Sequence, residues 1–114
     1  MQKGSDVDQI VLLYTTWSDA ETAETFAAEA VAERLAACAN ILSGARSIYR
    51  WEGAVERAVE TPVIFKTRSA CVERLTALIL ERHPYDTPAV VALAVAPGGS
   101  NPAYLAWVGS ETLD

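Results

Sequence analysis

The stretch that most limits what this chain can become is residues 47–67, SIYRWEGAVERAVETPVIFKT. It reads as two long strands folded back on each other at Glu52-Gly53, because glycine supplies the backbone freedom a tight reversal needs. Side chains alternate across a strand, so Tyr49 and Trp51 share one face of the first arm. On the second arm Val59, Thr61, Val63 and Phe65 share one face, and Ile64 and Lys66 share the other. Glu52, Glu56 and Glu60 fall together as solvated charges that discourage one sheet from sticking to another. Pro62 has no N–H to give to a ladder, so its position should face an edge or a bulge. A ribbon this long has more edge than one small domain can cover, and an uncovered edge invites a partner.

Before the ribbon, residues 1–8 are polar and read as a flexible tail, leaving 9–114 as one domain. Residues 9–16, with the run Ile10-Val11-Leu12-Leu13-Tyr14, predict a central strand buried on both faces. Ser18 with Glu21 predicts a capping box for a helix over 20–37, whose Ala23, Phe26, Ala27, Ala30, Val31 and Leu35 recur at helical spacing. Residues 38–42 start a strand, and Ser43-Gly44-Ala45 predicts a bulge or kink in it. After the ribbon, Ser69 is expected to cap a second helix with the stripe Val72, Leu75, Leu78 and Ile79, stopped at His83-Pro84. A last buried strand follows over 90–95, then a short helix opened by Asn101-Pro102.

The order strand, helix, strand, strand, helix, strand, short helix predicts an α+β, ferredoxin-like split βαβ arrangement with an antiparallel sheet. Two helices on one face leave the other face bare, with Tyr49 and Trp51 on it, and such a patch points to association.

Composition removes several function classes. A formal net charge of −6 argues against nucleic acid and against an anionic membrane surface. No apolar run reaches the ~20 residues of a membrane span. Cys38 and Cys71 lie inside periodic apolar patterns, which reads as free thiols in a reducing cytoplasm. No catalytic signature emerges, and the expectation is a non-enzyme: Gly98-Gly99 lacks the pattern of a phosphate loop, and a single histidine finds no nucleophilic serine. An acylphosphatase-type enzyme would need an anion-cradling loop with an arginine after the first strand, and residues 15–19 carry none. Metal ligands are confined to His83, Cys38, Cys71 and Asp86, without ligand spacing, although symmetry could pool them from several chains.

Five stretches in series carry a resemblance: ERLAACANI at 33–41, SIYRWEG at 47–53, IFKT at 64–67, HPYDTP at 83–88 and YLAW at 104–107. Over residues 10–108 the chain resembles the CutA family of divalent-cation tolerance proteins. The resemblance implies a homotrimer in which ribbons pair across subunits and sheets pack around the three-fold axis. It implies a cytoplasmic role in divalent-metal tolerance, chiefly copper, with copper binding and no obligatory cofactor. The positions associated with metal in bacterial members are Thr15, His83 and Ala89 here, which leaves His83 as the metal candidate. Tyr49, Trp51, Lys66, Tyr85 and Trp107 are implied as lining the cleft between subunits. The trimer also resembles the P-II signalling proteins, which suggests a small ligand in those clefts, with Lys66 and Arg68 as contacts to an anionic metabolite.

Overall fold

A computed structural model describes residues 9–113; the expected tail at 1–8 lies outside the described residues. The elements in chain order are β1 (Ile10–Trp17), α1 (Ala20–Ala32), β2 (Cys38–Ile41), β3 (Ala45–Trp51), β4 (Ala54–Arg68), α2 (Ser69–Arg82), β5 (Val90–Ala94) and α3 (Pro102–Ser110). All pairings are antiparallel. The sheet runs β2-β4-β1-β5, with β3 pairing the first half of β4. This is the α+β arrangement the pattern predicts.

Two strands of the hairpin are joined by Glu52 (φ 50°) and Gly53 (φ 84°), between the pair Trp51 and Ala54. Positive φ at both central residues is a type I′ turn, whose twist matches that of the flanking strands. At the other end of β3 the register slips by one. Ile41 pairs Val63 and Ala45 pairs Glu60, so Leu42, Ser43 and Gly44 oppose only Thr61 and Pro62. The expected bulge is therefore present. Leu42 N donates to Pro62 O at 2.9 Å. A strand residue's N and O point to the same side, so the N–H that proline lacks would have aimed into the bulge, where no acceptor is in register.

The odd positions of β1 and β4 turn toward the helices. Leu13, Val63 and Phe65 pack there with Trp17, Phe26, Ala30, Leu75 and Ile79. Phe26 meets Phe65 edge to face at 5.7 Å and stacks on Trp17 at 5.0 Å. Polar groups in this core are satisfied: Trp17 Nε1 donates to Thr15 Oγ1 at 2.8 Å, and Thr15 Oγ1 donates to Val63 O at 2.9 Å. Across the sheet, Leu12, Tyr14 and Ile64 are only half-buried, and Val91 and Leu93 are exposed. Strand β1 is thus covered fully on one face and partly on the other, a correction to the expectation of burial on both. Strand β5, also expected to be buried, is exposed from Val91 to Ala94 because it lies at the edge of the sheet.

Three local expectations are also corrected. Helix α1 is capped by Asp19, not Ser18: Asp19 Oδ1 accepts from Thr22 N at 2.8 Å, and Ser18 Oγ donates to Asp19 Oδ2. Asp19 is extended (φ −158°), the conformation a cap requires, so the Ser18–Glu21 box does not form. The same helix stops at Ala32, because Arg34 turns left-handed (φ 61°); Leu35 and Ala36 stay buried as the chain leaves the helix. Residue Arg68 holds the cap position of α2 without a side-chain cap bond, while Ser69 Oγ accepts from Gln9 N.

The ribbon extends beyond this body. The principal extents are 51 × 27 × 22 Å, and the radius of gyration of 15.2 Å exceeds the roughly 13 Å expected of a compact chain this long. Its two faces differ in charge. The pairs Arg46–Val59, Ile48–Arg57 and Arg50–Val55 stand on one face, and the pairs Tyr49–Glu56 and Ala45–Glu60 stand on the other with Trp51. One face is basic and aliphatic, the other acidic and aromatic. Ile48 and Val59 are 66% and 67% exposed.

Two outcomes follow for stability. Phe65→Ala should cost about 3–5 kcal/mol in denaturant unfolding, because its ring is fully buried against Phe26. The Asp19 carboxyl is held below the usual range by hydrogen bonds from the Thr22 N–H and then the Thr22 hydroxyl. A depressed folded value stabilises above the unfolded pKa and fades as pH falls through the folded one. Asp19→Asn retains a cap but removes that titration, so its stability should decline less steeply below about pH 4, measured by acid titration of the circular dichroism signal.

Candidate functional site

The residues singled out from sequence fall into two groups. The first is built on the 83–88 segment, HPYDTP, between α2 and β5. Pro84 holds His83 extended (φ −72°, ψ 140°) and ends α2. The His83 ring is buried between Trp17, at 4.2 Å, and Tyr85, at 4.7 Å between centroids. Tyr85 N lies 3.1 Å from Nδ1 and can only donate, so Nδ1 accepts and Nε2 carries the proton. Nε2 then donates to Thr16 O at 2.7 Å. Both ring nitrogens are engaged.

From His83 the chain of contacts runs outward. The Tyr85 hydroxyl donates to Glu60 Oε2 on β4 at 3.1 Å. Burial, followed by the Glu60 carboxylate, pushes the Tyr85 phenol up to about 12, so it remains a proton donor at neutral pH. Tyr85 lines an open groove of about 570 Å³, with Asp86 and Thr87 of the same loop. Tyr49 and Trp51 of β3 and Glu60 of β4 line it from the ribbon. Ala89 also lines the groove.

The second group lies elsewhere in the chain. Lys66 is six residues beyond Glu60 on the same strand, roughly 20 Å at the rise of a β-strand. Its Nζ lies 5.5 Å from the Tyr104 ring centroid, and Tyr104 packs at 5.6 Å on Trp107. The Tyr104 hydroxyl contacts Cys38 Sγ at 3.4 Å. The hydrogen bond with Cys38, helped by burial, raises the Tyr104 pKa. Helix α3, whose Val108 is fully buried, thereby covers one end of the otherwise bare sheet face. Arg68 is committed to this end too, through Nε donating to Thr112 Oγ1 at 3.0 Å and a further bond to Leu113 O.

Within one chain, then, Tyr49, Trp51 and Tyr85 come together, whereas Lys66 and Trp107 are grouped with Tyr104 and Cys38. Sequence reading did not single out Glu60 as a groove residue. The hairpin register contained that signal: a two-residue turn at 52–53 places Tyr49 opposite Glu56, and Glu60 follows on the same face. The side-chain bond from Tyr85 to Glu60 spans 25 residues and has no local signature.

The metal positions can be tested against this geometry. Thr15 is fully buried, with its hydroxyl donating to Val63 O and accepting from Trp17. Ala89 offers no donor atom, and His83 would have to surrender a hydrogen bond to coordinate an ion. Among the described residues no group of three or more His, Cys, Asp or Glu side chains could hold a metal. These residues do not fit a copper site within one chain.

Comparison with known proteins gives the lineage. Residues 11–111 match the family model described as CutA1 divalent ion tolerance protein. The divalent-cation tolerance protein CutA of Escherichia coli O45:K1 is 38% identical over 110 residues, which is 96% of each chain. The chloroplastic protein CutA of Arabidopsis thaliana is 38% identical over 112 residues, 98% of this chain but 60% of the plant protein's length. The solved structure of the divalent cation tolerance protein (Cut A1) from Thermus thermophilus superposes with a TM-score of 0.86 at 38% identity, covering 90% of this chain and 98% of that one. The chain belongs to the CutA1 divalent ion tolerance family.

Proposed function

We propose that this protein serves divalent-cation tolerance as a non-enzymatic homotrimer acting in the cytoplasm, with copper the ion chiefly tolerated. Its free cysteines suit a reducing compartment. The observation that carries the reading is the uncovered apolar surface. Leu93 and Val91 on the sheet face are each 49% exposed, and the ribbon adds Ile48, Val55, Val59 and Trp51. A monomer rarely leaves such an area in water, and a ring of copies covers it without leaving an open edge. The ribbon's opposed faces suit that arrangement, since the basic, aliphatic side of one copy can meet an acidic surface of the next.

A second reading has its own support: a P-II-like trimer that takes a small ligand. The groove beside Tyr49, Trp51 and Tyr85 has the volume of a small-molecule site. Lys66 and Trp107, which lie toward the other end of β4 in the same chain, join it in this reading from a neighbouring copy.

Light scattering should return three times the 12.3 kDa of one chain at micromolar concentration. Leu93→Asp, which puts a charge on the sheet face, should reduce that mass while circular dichroism keeps the fold; a wild-type monomer would end the trimer reading. Because both His83 nitrogens are already bonded, Cu(II) titration by calorimetry should give the same isotherm for wild type and His83→Ala. Loss of binding in the variant would instead make His83 the ligand.

A further inference from the structure

From the side chains that line it, we infer that the groove between β3 and the 83–88 loop takes an organic ammonium cation. The inference rests on the small-ligand reading and adds the charge and chemistry of the ligand. Three aromatic rings line the groove, Tyr49, Trp51 and Tyr85, each with a negative π-face. The two ionisable acids on its walls, Glu60 and Asp86, carry the same sign as those faces, and no lysine or arginine lines it. Lys66 and Arg68, the cations that an anionic ligand would need, are engaged at the other end of β4 with Tyr104 and Thr112. Within one chain an anion placed here would face two carboxylates and three ring quadrupoles without a compensating charge, and a neighbouring copy's Lys66 would bring a single ammonium against both acids.

The same surface is a poor host for a bare metal ion. A divalent ion needs several lone-pair donors in one small shell, whereas most of this lining is ring and methyl. An alkylated ammonium differs in the relevant respects. Its charge is spread over methyl groups, its desolvation is mild, and ring faces with a nearby carboxylate replace its water. A volume of about 570 Å³ also leaves room for an organic group attached to the ammonium head. Glu60 is held in place by the Tyr85 hydroxyl, so one wall presents its charge without reorganising. The net charge of −6 favours approach of a cation at low ionic strength.

Three probes of nearly equal shape separate the possibilities: tetramethylammonium, neutral tert-butanol and anionic pivalate. Each is titrated into the full-length protein by NMR, with light scattering on the same samples to follow assembly. Tetramethylammonium should give saturable shifts at the Trp51 indole, with tert-butanol at least tenfold weaker and pivalate silent. Trp51→Leu should weaken the cation at least fivefold, and so should Glu60→Gln, which keeps an acceptor for Tyr85 but removes the charge. Preference for pivalate or tert-butanol would overturn the inference while leaving a small-ligand site standing. Silence from all three would overturn both. Shifts that persist unchanged in both variants would place the cation outside the groove and overturn the inference as well.

Discussion

Nearly everything in this fold depends on the continuity of β4. Over fifteen residues the one strand pairs β1, β2 and β3, supplies Val63 and Phe65 to the core, and then projects as half of the ribbon. A strand in so many ladders has no free edge in which to hide a proline, yet Pro62 sits in its middle. The one-residue slip at Leu42, Ser43 and Gly44 resolves this by leaving no acceptor opposite the missing N–H. Gly44 fits the same spot for a steric reason: a Cβ there would come within 3.1 Å of a Val59 methyl. Bulge, proline and glycine are one device that divides the strand into a core half and a ribbon half.

The consequence is a change of environment along a single strand. Below the bulge, odd positions of β4 face the helices and are buried; above it, the matching side of the ribbon has no helix over it and carries Arg46, Arg50 and Arg57 among aliphatic residues. Long basic side chains can lay their stems over neighbouring methyl groups and keep their charge wet, so this face is soluble alone yet ready to be covered. The opposite face combines rings with carboxylates. In the proposed trimer a ribbon polarised in this way would offer each neighbour a preferred side, specifying orientation as well as contact.

Much of this was legible in the residues. Helix periods, the turn at Glu52-Gly53, the bulge expected at 43–45 and found one residue earlier, and the stop at His83-Pro84 are local signals that the structure has. Reading failed where two local rules competed or where the deciding partner was distant. Ser18 and Asp19 are both good caps, and only backbone conformation chose between them. Leu35 continues a helical period yet lies past the helix end, because Arg34 turns left-handed and Leu35 is buried by the loop instead. The aromatic members of the groove were visible as ring-bearing positions, but its acid Glu60 was read only as a solvated edge charge. Its contact with Tyr85 depends on how the 83–88 loop folds back over β4, and no period in the chain encodes that.

The groove's two walls are not equally fixed. The loop wall is bound to the core: Pro84 and Pro88 restrict the backbone, and His83 ties Thr16 of β1 to Tyr85. The wall bearing Tyr49 and Trp51 belongs to the ribbon, whose position over the body is set through the bulge and by whatever lies against its outer face. The Tyr85–Glu60 bond reaches from one wall toward the other, and it lands on the last residue of β4 before the bulge region. In the proposed trimer a ligand touching both walls would therefore sense the ribbon's angle, and a neighbour that fixes the ribbon would preorganise the groove. Occupancy and assembly would then be thermodynamically linked through that angle, each favouring the other to the same extent. Such coupling would need no mobile lid, because the ligand wall and the aliphatic side that a neighbour would cover belong to the same two strands.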